Sequence, residues 1–128
     1  MIVVDASAAA ELILETDSGA RVARRLRGEQ LHAPAHFDVE VVSVIRTAVM
    51  RGHLSDREGL VAFGAFRSLP VRRWPVSPLI ERSYALRPTH SVADAAYVAL
   101  AEGLAVPLVT CDGRLARSHG HHAEIETV

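Results

Sequence analysis

The chain has 128 residues, 49% hydrophobic and 23% charged, proportions that suit one globular domain and exclude a disordered tail, a collagen-like repeat and a disulfide scaffold. Its net charge of -1 argues against a strongly basic nucleic-acid binder, but all 14 basic residues are arginine, whose rigid fork suits phosphate and carboxylate; codon bias explains a lysine-free composition equally well. The single cysteine, Cys111, has no partner for an internal bridge.

In chain order, Met1 to Asp5 is an apolar, β-branched run ending in an acid and predicts a buried strand, followed by a helix over Ala6 to Glu15. No basic residue precedes this apolar run, unlike a secretory signal peptide, so a cytoplasmic protein is expected. After Thr16, Asp17 and Ser18, a second helix carries Arg21, Arg24 and Arg25 on one face and Val22 and Leu26 on the other, and Gly28 stops it. Gln30 to Ala33 predicts a second strand. From His36 to Arg51 the positions Phe37, Val41, Val44, Ile45 and Ala48 have helical spacing, and Gly52 ends the helix. Ser55-Asp56-Arg57-Glu58 has capping-box spacing and opens a helix bearing Leu60, Val61, Phe63 and Phe66, the last two at core spacing.

Val71 to Trp74 predicts a third strand, and Ser77-Pro78 starts a helix running to Arg87. Ser91 to Glu102 reads as an almost wholly apolar helix terminated by Gly103. The apolar region from Val92 to Val109 is broken by Asp94, Glu102, Gly103 and Pro107 and falls short of a membrane span. Pro107 to Thr110 predicts a fourth strand leading into Asp112-Gly113 and a short helix; His119 to His122 is a loop, and Ala123 to Thr127 a last strand. Strands alternating with helices, without linker or repeat, predict one α/β domain, residues 1–128, with a parallel sheet covered on both faces and a site at the strands' carboxyl ends.

The carboxylates fall where such a site would be. Asp5 closes the first strand and Asp112 follows the fourth, so neighbouring strands would bring them to one edge, although both positions also suit helix N-caps. Glu40 lies about 40° from Val44 on a helical wheel, at the border of the apolar stripe, and is equally a first-turn glutamate favoured by the helix dipole. Asp94 sits in a capping-box pattern with Ser91, yet no other charge follows before Glu102, so it must face a partner or the helix mouth. Four carboxylates without a nearby lysine would repel one another unless a cation lies among them, and an all-oxygen set suits Mg²⁺ or Mn²⁺ better than zinc. Ser7 and Thr110 are placed to orient water or a carboxylate, or simply to cap a turn.

Val3-Val4-Asp5-Ala6-Ser7-Ala8, Glu40, the run Ser91-Val92-Ala93-Asp94-Ala95-Ala96-Tyr97 and Leu108-Val109-Thr110-Cys111-Asp112 together resemble the PIN-domain ribonucleases, specifically the VapC toxins of toxin–antitoxin pairs. The resemblance spans nearly the whole chain. It implies a Rossmann-like α/β/α sandwich with a mostly parallel sheet and Mg²⁺- or Mn²⁺-dependent endonucleolytic cleavage of RNA. It also implies neutralisation by a VapB-type antitoxin and a homodimer, placed on the apolar surfaces of the Phe37–Val49 and Leu60–Phe66 helices. Asp5, Glu40, Asp94 and Asp112 match the family's acidic quartet, and Ser7 and Thr110 its hydroxyl positions. Cys111 and Gly113 depart from the usual pattern and would loosen the loop holding Asp112.

An acidic pocket needs cations at its rim to hold a polyanion; Arg114 and Arg117, just after Asp112, are better candidates than Arg21, Arg24, Arg25, Arg72 or Arg73. His119, His121 and His122 lack cysteine or acid at ligand spacing and read as a polar loop. A phospho-receiver domain would need a lysine near its last strand, and none exists. A non-catalytic RNA- or protein-binding member of the same fold remains the nearer rival.

Overall fold

A computed structural model describes all 128 residues. Five strands, β1 (Ile2–Val4), β2 (Leu31–Pro34), β3 (Val71–Trp74), β4 (Leu108–Thr110) and β5 (Ile125–Thr127), form one sheet in the order β3-β2-β1-β4-β5. Every pairing is parallel, so the sheet is wholly rather than mostly parallel. The central strands β1 and β4 are buried along their whole length, which is why Ile2-Val3-Val4 and Leu108-Val109 read as continuous apolar runs rather than alternating ones.

Seven helices cover the sheet: α1 (Ala6–Ile13), α2 (Asp17–Leu26), α3 (Phe37–Met50), α4 (Asp56–Ser68), α5 (Ile80–Ala85), α6 (Val92–Leu104) and α7 (Gly113–Ala116). The first four pack among themselves, whereas α5 packs on α6, and α6 lies against β1 and β2. Right-handed crossovers explain this division. Successive steps from β1 to β2 to β3 put α1–α4 on one face, and the return to β4 puts α5 and α6 on the other. The strand order reverses between β1 and β4, so the topological switch point lies at the carboxyl ends where Asp5 and Asp112 follow.

The close fit of α2 on α1 depends on one glycine. A Cβ at Gly19 would come 2.1 Å from the carbonyl oxygen of Glu11, a separation no side chain tolerates.

Three local expectations give way to packing. Leu60 and Val61 are exposed, and Phe63 is partly so; Gly59, Ala62 and Phe66 form the inner face of α4 instead, rotated from the one the bulky residues suggest. The segment after Ser77 is a 3₁₀ turn (Ser77–Leu79) followed by only six α-helical residues, because Pro78 suits a first turn and Pro88 stops the helix early. Gly103 lies inside α6. Ala105 is the residue that turns left-handed, at φ 54°, and Val106 N–H closes the end by donating to the Ala101 carbonyl at 3.1 Å.

The outer face of α6 is tied down by charge. Arg82 in α5 donates Nε and Nη2 to the two carboxylate oxygens of Glu102 at 2.8 and 2.9 Å, and the His122 amide adds a third bond at 2.8 Å. The Arg82 bonds, foremost, hold the Glu102 carboxyl down to about 2 from its ordinary 4.5. A depressed carboxyl stabilises the fold above its unfolded pKa and stops doing so as pH falls through the folded one. Glu102→Gln is therefore expected to cost roughly 2 kcal/mol at pH 7, the range of charge-assisted hydrogen bonds. In urea unfolding, that difference should shrink as pH falls from 4.5 towards 2.

Candidate active site

Asp5 is the buried floor of the site. Its backbone leaves β1 in an extended conformation and its side chain caps α1, accepting from the Ala8 amide at 2.9 Å. Both carboxylate oxygens also accept from Ser7 Oγ, at 2.8 and 2.9 Å, and Oδ2 accepts from Thr110 Oγ1 at 2.6 Å. The cap and the site readings of Asp5 are thus the same geometry. Burial pushes its carboxyl above the ordinary carboxylate value, the three sets of donors oppose that rise, and the charge of Asp94 adds to it.

Thr110 and Ser7 continue outward as a polar bridge between the β1 and β4 loops. Their hydroxyls lie 3.2 Å apart, Cys111 N–H donates to Ser7 Oγ at 2.9 Å, and Asp112 N–H donates to Thr110 Oγ1 at 2.9 Å. Asp112 then caps α7, accepting from Arg114 N–H at 2.8 Å. The amides of Cys111, Asp112 and Arg114 are therefore held, and the loosening expected from Cys111 and Gly113 has no counterpart at those three positions. Gly113 has no left-handed backbone, and an added Cβ would meet only the mobile tip of Arg117. The Cys111 thiol is pushed up by burial and by the charges of Asp5 and Glu11, which lowers its thiolate fraction.

Asp94 occupies the first turn of α6. Ser91 Oγ accepts from Asp94 N–H at 3.1 Å, but the carboxylate makes no reciprocal bond to the Ser91 amide, so only half the expected capping box forms. The freed carboxylate accepts nothing from the protein. Asp94 and Asp112 line one cavity of about 380 Å³ with Thr89, His90, Ser91 and Ser118.

Glu40 stands on α3 at the other flank, half-buried, and accepts from the hydroxyl of Tyr97 at 2.5 Å. Tyr97 is buried on α6, one turn beyond Asp94, with the His36 ring 5.0 Å from its own. His36 Nε2 reaches the Ala93 carbonyl at 3.0 Å. Burial, then the Glu40 bond, raises the Tyr97 phenol far above its usual value, so it stays a donor. Neither Tyr97 nor His36 stands out in the sequence: an aromatic at core spacing gives no sign that its hydroxyl meets an acid.

Of the rim arginines, Arg114 is largely exposed and pairs with Asp112 at 3.2 Å, and Arg117, which follows the last residue of α7, is exposed too. Arg25 is committed to Glu126 and Glu29, and Arg73 to Asp38. Trp74 lends its indole N–H to His32 Nδ1 at 3.0 Å, as a packed residue would. The loop histidines gather no metal-ligand set.

The site's donors are all hard oxygens, and the effect of Asp94 on Asp5 is the repulsion a cation would relieve. No three His, Cys, Asp or Glu side chains converge on one point. Asp94 and Asp112 are the two carboxylates in the cavity lining, a donor type and number with which Mg²⁺ commonly binds when water completes its shell.

The family model for the PIN domain matches residues 2–119. Ribonuclease VapC12 of Mycobacterium tuberculosis is 70% identical over 128 residues, covering all of this chain and 99% of that protein. Ribonuclease VapC9 of the same organism is 44% identical over 115 residues, 90% of this chain and 88% of its own. The crystal structure of Mycobacterium tuberculosis VapC20, described as a Sarcin-Ricin loop cleaving toxin, shares the fold with a TM-score of 0.67 at 20% identity, over 91% of this chain and 93% of that one.

A carboxyl raised by burial disfavours folding once pH exceeds its unfolded pKa, because the folded state then holds a charge it solvates poorly. Asp5→Asn, which removes that charge, is expected to be at least as stable as the parent at pH 8 in metal-free buffer. The advantage should fade as pH falls and the parent's Asp5 protonates, measured by urea unfolding at both pH values.

Proposed function

The chain belongs to the PIN-domain family, among the VapC-type ribonuclease toxins, and from that premise we propose that it is a Mg²⁺- or Mn²⁺-dependent endoribonuclease whose acidic quartet is Asp5, Glu40, Asp94 and Asp112. The observation that carries the reading is Asp94: a carboxylate that accepts no hydrogen bond from the protein, opening on the same cavity as Asp112 and electrostatically felt by buried Asp5.

Asp94 and Asp112 are the direct ligands in this reading, with Asp5 and Glu40 acting directly or through water. When bound, the cation polarises the scissile phosphodiester and lowers the pKa of an attacking water. Ser7 and Thr110 fix the Asp5 carboxylate beneath the β4 loop, and Tyr97 fixes that of Glu40; neither acid lines the cavity of Asp94 and Asp112 itself. No protein nucleophile is required. Arg114 and Arg117 take the flanking phosphates. The Arg114–Asp112 pair is open to solvent and screened by it, so the guanidinium is free to exchange onto RNA.

The partners follow from the same reading: cytoplasmic RNA as substrate, a VapB-type antitoxin that places a basic side chain among the acids, and a second copy of the chain. The exposed Val44 on α3 and Leu60, Val61 and Phe63 on α4 supply apolar surface for association. No helix is long and apolar enough to cross a membrane. The absence of three converging ligands favours one alternative, a PIN-fold member that binds RNA or protein without cutting it.

The two readings separate on total cellular RNA treated with purified, partner-free protein. With Mn²⁺ or Mg²⁺ the parent should release discrete fragments, EDTA should stop it, and Asp94→Asn should lower the rate at least about a hundredfold, the upper range for losing an outer-shell partner. Identical fragments from parent and Asp94→Asn would remove the assignment of Asp94. Metal binding without cleavage by the parent would favour the binding member.

A further inference from the structure

The cavity is built from two segments far apart in sequence. One is Thr89-His90-Ser91, which leads into α6 and Asp94; the other runs from Asp112 through α7 to Ser118 and His119. A buried imidazole joins them. His90 is 9% exposed, its Nε2 lies 2.8 Å from Ser118 Oγ, and its Nδ1 lies 2.8 Å from Thr89 Oγ1. Ser118 Oγ donates to the Leu115 carbonyl at 2.6 Å, which leaves its lone pairs to accept from His90 Nε2–H. Thr89 Oγ1 lies 3.0 Å from the His119 carbonyl as well, so its one proton is shared between that carbonyl and the unprotonated His90 Nδ1. His121 leans edge-on against His90 at 5.6 Å, with Nε2 at 3.2 Å from Ser118 Oγ.

We propose that His90 and Ser118 are positioning residues that fix the Asp112 turn against the Asp94 helix, and thereby set the separation of the two carboxylates that meet in the cavity. The proposal rests on the reading of Asp94 and Asp112 as cation ligands. Neither His90 nor Ser118 touches the reacting atoms; each acts through the segment it holds. A hydroxyl taking an imidazole proton across 28 residues is directional, so the clamp sets distance where apolar contact would only set proximity.

The test uses three substitutions of the full chain. His90→Ala removes both bonds. His90→Gln returns a donor near the Nε2 position and keeps the bond to Ser118, while His90→Asn returns an amide-oxygen acceptor near Nδ1 and keeps only the side facing Thr89. Calorimetric titration with Mn²⁺ alone should show His90→Ala and His90→Asn binding at least about tenfold more weakly than the parent, with His90→Gln within about threefold of it. Amide exchange of the metal-free protein should quicken at Asp112 and Arg114 in the first two variants and not in the third. Equal Mn²⁺ affinity in all four proteins, or His90→Asn matching His90→Gln, would overturn the clamp even if His90→Ala melted at a lower temperature. If instead Asp94→Asn binds Mn²⁺ as the parent does, the ligand assignment fails, and the exchange at Asp112 and Arg114 still decides the clamp.

Discussion

A carboxylate removed from water has to be supplied with hydrogen bonds, and at Asp5 they arrive from both sides of the seam between β1 and β4. The Ala8 amide and Ser7 hydroxyl come from the start of α1, and the Thr110 hydroxyl comes from the end of β4. The rest of the carboxyl edge hangs from that arrangement. Ser7 and Thr110 each accept one amide from the next loop, so the path of the chain from Thr110 to Asp112 is prescribed by the groups that satisfy Asp5. An apolar residue at position 5 would leave two hydroxyls and an amide without their acceptor.

This arrangement explains why so much could be read in advance. Ile2–Val4 and Leu108–Thr110 are buried on both faces, so their apolar continuity is dictated by the middle of a parallel sheet, and an acid one residue after the first and two after the second marks the strand ends. Adjacency of β1 and β4 then brings Asp5 and Asp112 to one edge without further assumptions. Asp94 was legible for a related reason: a lone charge at the head of an apolar helix has few places to go.

What escaped the sequence was anything decided by rotation or by pairs distant along the chain. The face of α4 that meets the core is the one with Gly59 and Ala62, since a close helix crossing selects small residues, and the larger Leu60 and Val61 are turned outward. Tyr97 and Glu40 are 57 residues apart, and His90 and Ser118 are 28 apart. No periodicity announces such contacts, because each depends on where two helices or loops come to rest after the sheet is assembled. Gly103 misled for a different reason: glycine is the usual helix stop, but the end closes where the carbonyls of α6 find amide partners, at Ala105 and Val106.

The two-walled cavity has a consequence for the order in which the protein comes into being. Synthesis runs from the amino to the carboxyl end, so a growing chain that has exposed residues up to Gly103 already carries Asp5, Glu40 and Asp94, yet it lacks β4, the Thr110 hydroxyl and the wall from Asp112 to Ser118. Asp5 then has no strand beside it on that side, and Asp94 faces open water. The Asp112 carboxylate and the Thr110 hydroxyl that donates to Asp5 arrive together, after β1, β2, β3 and α6 have been made. Until β4 and α7 have been made, the cavity has one wall and the buried Asp5 lacks the Thr110 donor on that side.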